Sequence, residues 1–245
     1  MRLKAYAAVT HQGPQLEINE DGYDFDLDQN LFFIIDGFGG ASHGERAVQS
    51  IKTELKSFFS QLTDDPDATM PLYWSPRWLL EGNALINALL RAHQSLFKEN
   101  QARGLNQRAG ASIACAVKVD DILVVAHVGA CQVMLARNGH VEPLFVPDTL
   151  QFQSVDPSAA TALRAPLGAI GFFPELSWSI REVRVQEGDS FVFVTDGVAG
   201  WVTPQEVGHA ISRTTSDNHQ RLNALLKLSN SRGNWGNQTA MILEF

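Results

Sequence analysis

The sequence predicts an α+β fold in which mainly antiparallel sheets carry helices on their outer faces. Most of the chain reads as short apolar or alternating runs, whereas two long segments repeat apolar residues at steps of three and four. The resulting order is strands, two long helices, more strands, shorter helices and a final strand. This order suits antiparallel sheets with the helices segregated from the strands.

The first half of the chain contains the two long helices. Strands are predicted at 3–9, 23–27 and 31–35, and Asp28-Gln29-Asn30 is the expected turn of a hairpin. One helix follows Gly40, with apolar positions from Ala47 to Leu62, and another spans about 77–99. A stretch rich in Pro and Asp, 64–76, separates the two helices.

The second half is mostly strand. An antiparallel meander is predicted at 113–119, 122–128 and 131–137, and Asn138-Gly139 is a strong hairpin turn. The segment 147–176 lacks periodicity and is expected to be a surface excursion with a short helix and a mobile flap. The remaining predictions are strands at 178–185, 190–195 and 239–245 and helices at 204–212 and 221–228. With no repeat and no linker, residues 1–245 are expected to form one domain.

Composition excludes several classes of partner. Hydrophobic residues make up 44% and charged residues 19%, a balance that predicts a folded chain. The formal charge of -8, with no cluster of Lys and Arg, argues against nucleic acid and against an anionic membrane surface. Cys115 and Cys131 lie in apolar runs and are expected to be reduced, buried thiols. A cytoplasmic monomer without a signal peptide or membrane span is therefore the expectation.

Two apolar strands end in an aspartate followed by a glycine. They are FFIIDG, ending at Asp36-Gly37, and FVFVTDG, ending at Asp196-Gly197. Two carboxylates meeting at one sheet edge would form an oxygen-rich site for Mg²⁺ or Mn²⁺, and the glycines would allow close approach of the backbone. Each Asp-Gly pair taken alone is better explained as a plain turn, because Asp-Gly after a strand is among the commonest turn signals. The adjacent acids Glu20 and Asp21 could similarly belong to a solvated turn.

The order of these segments resembles the protein phosphatase 2C (PPM) family. The resemblance begins with Asn19-Glu20-Asp21, a hairpin, and Asp36-Gly37-Phe38-Gly39-Gly40 followed by a helix with Gly44 and Ala47. It continues through GASIACAVKVDDILVVAHVGACQVMLARNG, EGDSFVFVTDGVAGWVTPQEV and GNQTAMILEF, and so covers nearly the whole chain. The family fold implied is a four-layer α-β-β-α sandwich.

The resemblance also implies a chemistry. Family members hold two metal ions, Mn²⁺ or Mg²⁺, that share a bridging carboxylate and a water molecule, which attacks the phosphorus of phosphoserine or phosphothreonine. Carried over, Asp36 would bridge the metals, the Gly37 carbonyl would ligate one and Asp196 the other. Glu20 and Asp21 would act mainly through water. The catalytic residues implied are thus Asp36 and Asp196.

Several positions depart from the family pattern. Leu16 stands where the family has a phosphate-binding arginine, and Ala130 replaces an acid associated with an additional metal. Gly236 replaces a direct ligand of the second core metal, so occupancy of that site is in question. Asn234 or Asn237 could offer a neutral oxygen in its place. Phe38 precludes proton transfer from that position.

Two functions remain open from the sequence. One is a metal-dependent phosphatase, attenuated in activity, that acts on phosphoprotein substrates of a Ser/Thr kinase pathway. The other is a degenerate phosphatase that binds a phosphoprotein or another partner through the old cleft and the 147–176 segment.

Overall fold

The computed structural model describes residues 1–39, 43–64, 70–152, 163–212 and 217–245. The strands are β1 (Ala5–His11), β2 (Asp21–Asp26), β3 (Leu31–Gly39), β4 (Ala109–Val119), β5 (Ile122–Val128), β6 (Gln132–Arg137), β7 (His140–Pro143), β8 (Thr149–Phe152), β9 (Leu163–Pro166), β10 (Ser179–Arg184), β11 (Ser190–Val194) and β12 (Gln238–Glu244). The helices are α1 (Gly44–Asp64), α2 (Leu80–Gln101), α3 (Asp196–Ala199), α4 (Pro204–Ile211) and α5 (Asn218–Ser231), with a 3-10 turn at Leu105–Gln107.

These elements form four layers, as predicted. Helices α1 and α2 cover a sheet with the strand order β10-β5-β4-β3-β2, and a second sheet follows with the order β1-β12-β11-β6-β7. Helices α3, α4 and α5 cover the outer face of the second sheet. All the strand pairs of both sheets are antiparallel. The α+β class and the α-β-β-α sandwich are therefore confirmed.

Side chains from both sheets fill the space between them. Phe32, Ile34, Phe191, Phe193 and Met241 are fully buried in this inner core. Alternate residues of the same strands point outward to the helices, and Leu31, Phe33 and Ile35 of β3 join the core under α1 and α2. Strands buried on both faces lose the polar alternation of a half-exposed strand, which explains why the first five residues of β3, LFFII, are continuously apolar.

The hairpin turns follow their residue chemistry. Asn30 has a φ of 50° and closes the β2–β3 hairpin at the predicted turn. Asn138 and Gly139 have φ values of 52° and 80°, the conformation of the predicted two-residue turn, and join β6 to β7. Asn and Gly tolerate the left-handed region better than other residues.

The predicted meander is wrong in one respect, because its third strand belongs to the other sheet. Strands β4 and β5 pair in the first sheet, whereas β6 pairs with β11 in the second. Between β5 and β6, Gly129 has a φ of 77°, and a Cβ on it would meet the Ser112 hydroxyl and the Gly168 carbonyl. The left-handed glycine lets the chain bend sharply between the sheets. The chain crosses again at Gly188, since β10 and β11 also lie in different sheets.

The segment 147–176 is only partly described. Its described residues, 147–152 and 163–176, contain the β8–β9 hairpin and no helix, so the short helix predicted there is not found in these ranges. The expected flap falls mainly on 153–162, outside the described residues. In the part of the chain that is described, no helix has the length and apolar character needed to cross a membrane.

Candidate metal centre

The two Asp-Gly pairs are not turns. Asp36 and Gly37 lie inside β3, and Asp196 is the first residue of α3, directly after β11 and Thr195. A Cβ on Gly37 would lie 2.5 Å from the Gly44 carbonyl oxygen, and one on Gly197 would collide with the Asn237 carbonyl. Glycine is therefore required after each aspartate by close backbone packing, and the plain-turn alternative is wrong.

Three aspartates from the two sheets meet at one end of the sandwich. The register of the β2–β3 hairpin places Asp21 directly opposite Asp36. The Asp36 carboxyl lies close enough to those of Asp21 and Asp196 for both to raise its pKa. We call Asp21, Asp36 and Asp196 the carboxylate cluster.

Burial and mutual repulsion disfavour the charged forms of this cluster. Burial and the nearby charge of Asp196 raise the pKa of Asp21 to about 7, although hydrogen bonds from Thr239 and Thr195 oppose the shift. Burial, followed by the charges of Asp196 and Asp21, raises the pKa of Asp36 well above its usual range. Like charges this close need a compensating cation or a shared proton.

Two buried threonines hold Asp21, and sequence reasoning missed them. The hydroxyls of Thr195 and Thr239 donate to Asp21 Oδ2 at 2.9 and 2.8 Å. The Thr239 backbone N–H in turn donates to Thr195 Oγ1 at 2.9 Å. These bonds tie the first sheet to the second at the cluster. The available signal was that Thr195 directly precedes Asp196, and that Thr239 follows three residues after Gly236.

Glu20 lies beside the cluster and serves α1. Its Oε1 accepts from the backbone N–H of Gly44, the first residue of α1, at 2.7 Å. Its carbonyl accepts from the Gly37 N–H at 3.0 Å. A carboxylate at a helix N-terminus is stabilised by the free N–H groups and the helix dipole. Glu20 therefore fastens both β3 and α1 next to Asp36.

Asn237 and Asn234 are already engaged in hydrogen bonds. Asn237 Oδ1 accepts from the Glu20 N–H at 2.9 Å, and its Nδ2 donates to the carbonyls of Gln12 and Ile18 at 3.0 and 2.9 Å. Asn234 bonds within its own turn to Gly236, through its Nδ2 at 3.0 Å and its Oδ1 at 3.3 Å. The suggestion that either amide oxygen substitutes for the missing ligand is therefore not supported.

The four positions that depart from the family pattern differ in their surroundings. A Cβ on Gly236 would meet only Asn234 Oδ1, at 3.8 Å, so a side chain fits at this position. Leu16 is exposed, and Ala130 is buried with its N–H bonded to Ser112 Oγ at 3.1 Å. Phe38 packs against Phe172, with the ring centroids 5.6 Å apart.

Cys131 lies at the base of the cluster, a position that the sequence did not indicate. The thiol is buried against the backbone of Asp36, and burial together with the three aspartates raises its pKa. Cys115 is also buried and free, so the expectation of two reduced, buried thiols agrees with the structure.

The side chains fit a hard cation only in part. Among the described residues, no group of three or more His, Cys, Asp or Glu side chains is placed to share one ion. Asp21 Oδ2 is taken by two threonines and Glu20 Oε1 by Gly44, which leaves Asp36 and Asp196 as the side chains best suited to direct ligation. Hard divalent cations accept such sparse sets, since backbone carbonyls and water complete their oxygen shells.

Solved structures with the same fold include serine/threonine phosphatases. PppA, described as a key regulatory component of T6SS in Pseudomonas aeruginosa, is 22% identical and has a TM-score of 0.76, with 99% of this chain and 98% of that chain covered. The Streptococcus agalactiae (S. agalactiae) serine/threonine phosphatase is 18% identical with a TM-score of 0.79, covering 98% of each chain. The catalytic domain of the serine/threonine phosphatase PstP, solved in complex with 2 manganese ions, is 19% identical with a TM-score of 0.73, covering 98% of this chain and 97% of that one.

The sequence itself matches the family model of protein phosphatase 2C over residues 15–229. No curated protein matches it significantly in sequence. The chain belongs to the protein phosphatase 2C family.

Proposed function

We propose that this chain is a metal-dependent phosphatase that removes phosphate from phosphoserine and phosphothreonine residues of proteins. The observation that carries the proposal is the carboxylate cluster, in which Asp21 lies opposite Asp36 across the β2–β3 hairpin and the charges of Asp21 and Asp196 both raise the pKa of the buried Asp36. Such packing of acids is costly without a cation, and perturbed acids in this arrangement are typical of functional sites. Residues 1–245 would form one catalytic domain.

Mn²⁺ or Mg²⁺ is the proposed cofactor. Asp36, Asp196 and the Gly37 carbonyl would hold it, while Asp21 and Glu20 would act through water. When bound, such ions lower the pKa of a water molecule and neutralise charge on the phosphoryl oxygens. The manganese in the related PstP structure supports this choice of metal.

The protein's own groups keep the acids in position. Thr195 and Thr239 donate to one oxygen of Asp21 and so fix its carboxylate opposite Asp36. Glu20 accepts hydrogen bonds from the first residue of α1 and from Gly37 of β3, and Asn237 accepts one from the Glu20 N–H. Each link comes from a different element, so the site is assembled only in the folded sandwich.

The missing ligand predicts weak activity. Gly236 supplies no oxygen to the second metal, and the amides of Asn234 and Asn237 are engaged elsewhere. Leu16 supplies no cation for the substrate phosphate. We therefore expect turnover that needs high metal concentrations.

The test is hydrolysis of a phosphothreonine peptide with Mn²⁺, with Mg²⁺ and with chelator. Asp36→Asn should lower the metal-dependent rate at least about a hundredfold, the usual scale for loss of a central electrostatic group. Asp28→Asn is the matched control, because Asp28 is exposed in the turn at the other end of the same hairpin. Equal rates for Asp36→Asn and Asp28→Asn would overturn the proposal.

A second candidate is a phosphatase fold that binds a phosphoprotein partner without turnover. The observation in its favour is that no described side chain replaces the ligand lost at Gly236. It predicts that Asp36→Asn retains partner binding. Turnover by the natural protein in the assay above would exclude it.

A further inference from the structure

Two loops border the carboxylate cluster and are joined to each other. They are the segment 12–20 before β2 and the segment 234–237 before β12. The Asn237 side chain bonds both ends of the first loop, at Gln12 and at Ile18 and Glu20. Gly13, with a φ of 85°, packs against the carbonyls of Trp235 and Gly236, where a Cβ would collide. The loops therefore form one surface next to the site.

Large apolar side chains of these loops are exposed. Leu16 is 36% exposed, Ile18 43% and Trp235 50%. We call these three residues the apolar rim. Single exposed apolar residues are common on proteins, but three on two joined loops beside a cluster of acids form a feature that needs an explanation.

The two loops also lack positive charge. Glu17 is the only charged residue in 12–19, and none occurs in 233–238. The loops therefore offer a substrate apolar contact and no ion pair to phosphate or to acidic side chains. With a formal charge of -8, the protein also repels acidic peptides at long range.

We propose that the apolar rim binds an aliphatic or aromatic side chain next to the phosphorylated residue of a peptide substrate. The enzyme then selects phosphopeptides by apolar neighbours. This inference rests on the proposed function, because the carboxylate cluster must be where the phosphate is directed. Trp235 is suited to the role since a large ring provides much contact area and loses little conformational entropy.

The experiment compares phosphothreonine peptides of equal length that differ only in the residues flanking the phosphothreonine. These residues are Leu and Phe in one peptide, Gln in a second and Glu in a third. We expect kcat/KM to be at least about tenfold higher for the first peptide than for the second, the scale of discrimination by one apolar contact. The third peptide should be the poorest substrate.

Two rim variants and one control complete the design. Trp235→Ala and Leu16→Ser should reduce the preference for apolar neighbours to about threefold or less. Trp74→Ala should keep the full preference, because Trp74 is 60% exposed but lies in the segment before α2, outside both loops. Retained preference in both rim variants would overturn the inference.

Peptide affinity, measured by fluorescence anisotropy in chelator, separates the inference from the proposed function. Turnover of all three peptides at similar rates, with similar affinities, overturns the rim and leaves the phosphatase. If no peptide is turned over but the apolar peptide binds about tenfold more tightly, and Trp235→Ala removes this preference, the phosphatase is overturned and the rim is supported. If the protein shows no turnover and no selective binding, both the apolar rim and the proposed phosphatase function are overturned.

Discussion

At the scale of single residues, the protein buries acidic side chains whose charged form is costly away from water. Burial and two neighbouring acids all disfavour the charged form of Asp36 and raise its pKa. If β3 only had to pack well, the protein would be more stable with a neutral residue at position 36. The acids therefore indicate selection for a site at the expense of stability.

Asp36→Asn should stabilise the metal-free protein. A raised folded-state pKa means that the stabilising, protonated form is present at low pH and is lost as pH rises through that pKa. The penalty is thus largest at high pH, and Asn removes it. We expect a gain in the free energy of unfolding of about 1–3 kcal/mol at pH 8 in chelator, vanishing near pH 4. Urea denaturation measures it, and a loss of stability at pH 8 would contradict it.

His127 should make the stability depend on pH in the opposite direction. Burial lowers its pKa to about 4, its ring packs 4.4 Å from that of Phe145, and neither ring nitrogen has a hydrogen-bond partner within the described residues. The unfolded chain then binds the extra proton between about pH 6.5 and pH 4, so stability falls as pH drops through this window.

The comparison of His127→Leu with the natural protein isolates this effect from the carboxylate cluster. The variant should gain about 2 kcal/mol relative to the natural protein between pH 7 and pH 4.5. His140→Gln, at an exposed position on β7, should show no such change. Parallel stability curves for His127→Leu and the natural protein would refute the assignment of a neutral, buried imidazole.

At the scale of elements, the loops before β2 and β12 depend on one amide. Asn237 makes three hydrogen bonds to the 12–20 loop, and through Glu20 it supports the start of α1. This link connects residues more than two hundred positions apart in the sequence. It positions Glu20, whose carboxylate accepts from the Gly44 N–H and whose backbone carbonyl accepts from the Gly37 N–H.

Asn237→Ala should loosen this loop without unfolding the sandwich. Loss of three hydrogen bonds at a partly exposed site should cost about 1–3 kcal/mol. Hydrogen exchange at the Glu20 amide should become at least about tenfold faster, whereas amides in β4 keep their protection. Asn223→Ala, at an exposed position on α5, is the matched control. Unchanged exchange at Glu20 would show that the amide link is dispensable.

Sequence patterns predicted elements better than they predicted neighbours. The two long helices, the hairpin turns at Asn30 and Asn138-Gly139, and the final strand follow from periodicity and turn chemistry. The assignment of β6 to the second sheet could not follow, because a single left-handed glycine, Gly129, decides where the chain crosses. Local sequence specifies the turn, but the choice of partner strand depends on the whole core.

The sequence also predicted only part of the candidate site. Asp36 and Asp196 stood out because each follows an apolar run and precedes a glycine, and the family resemblance added Asp21. The structure brings the three acids together. Thr195 and Thr239 were missed, and Asn237 was considered only as a metal ligand, since common polar residues gain their role only from distant partners. No local pattern reports such contacts.

At the scale of the whole molecule, the sandwich brings together acids from both sheets at one end, and we propose that Gly236 is the position that limits the site. Gly236 leaves open space where a side chain fits, since a Cβ there would have only Asn234 Oδ1 nearby, at 3.8 Å. Gly236 therefore lacks a ligand oxygen because glycine has no side chain, and not because the position is crowded. An aspartate there would add a carboxylate oxygen without displacing the backbone.

The most direct test is the Mn²⁺ concentration that gives half-maximal hydrolysis of a phosphothreonine peptide, in the natural protein and in Gly236→Asp. If the chain is a phosphatase weakened by one missing ligand, both proteins turn over, and the variant needs at least about tenfold less Mn²⁺, the usual scale for a change around a metal site. Absence of turnover in both proteins at every Mn²⁺ concentration would contradict the account.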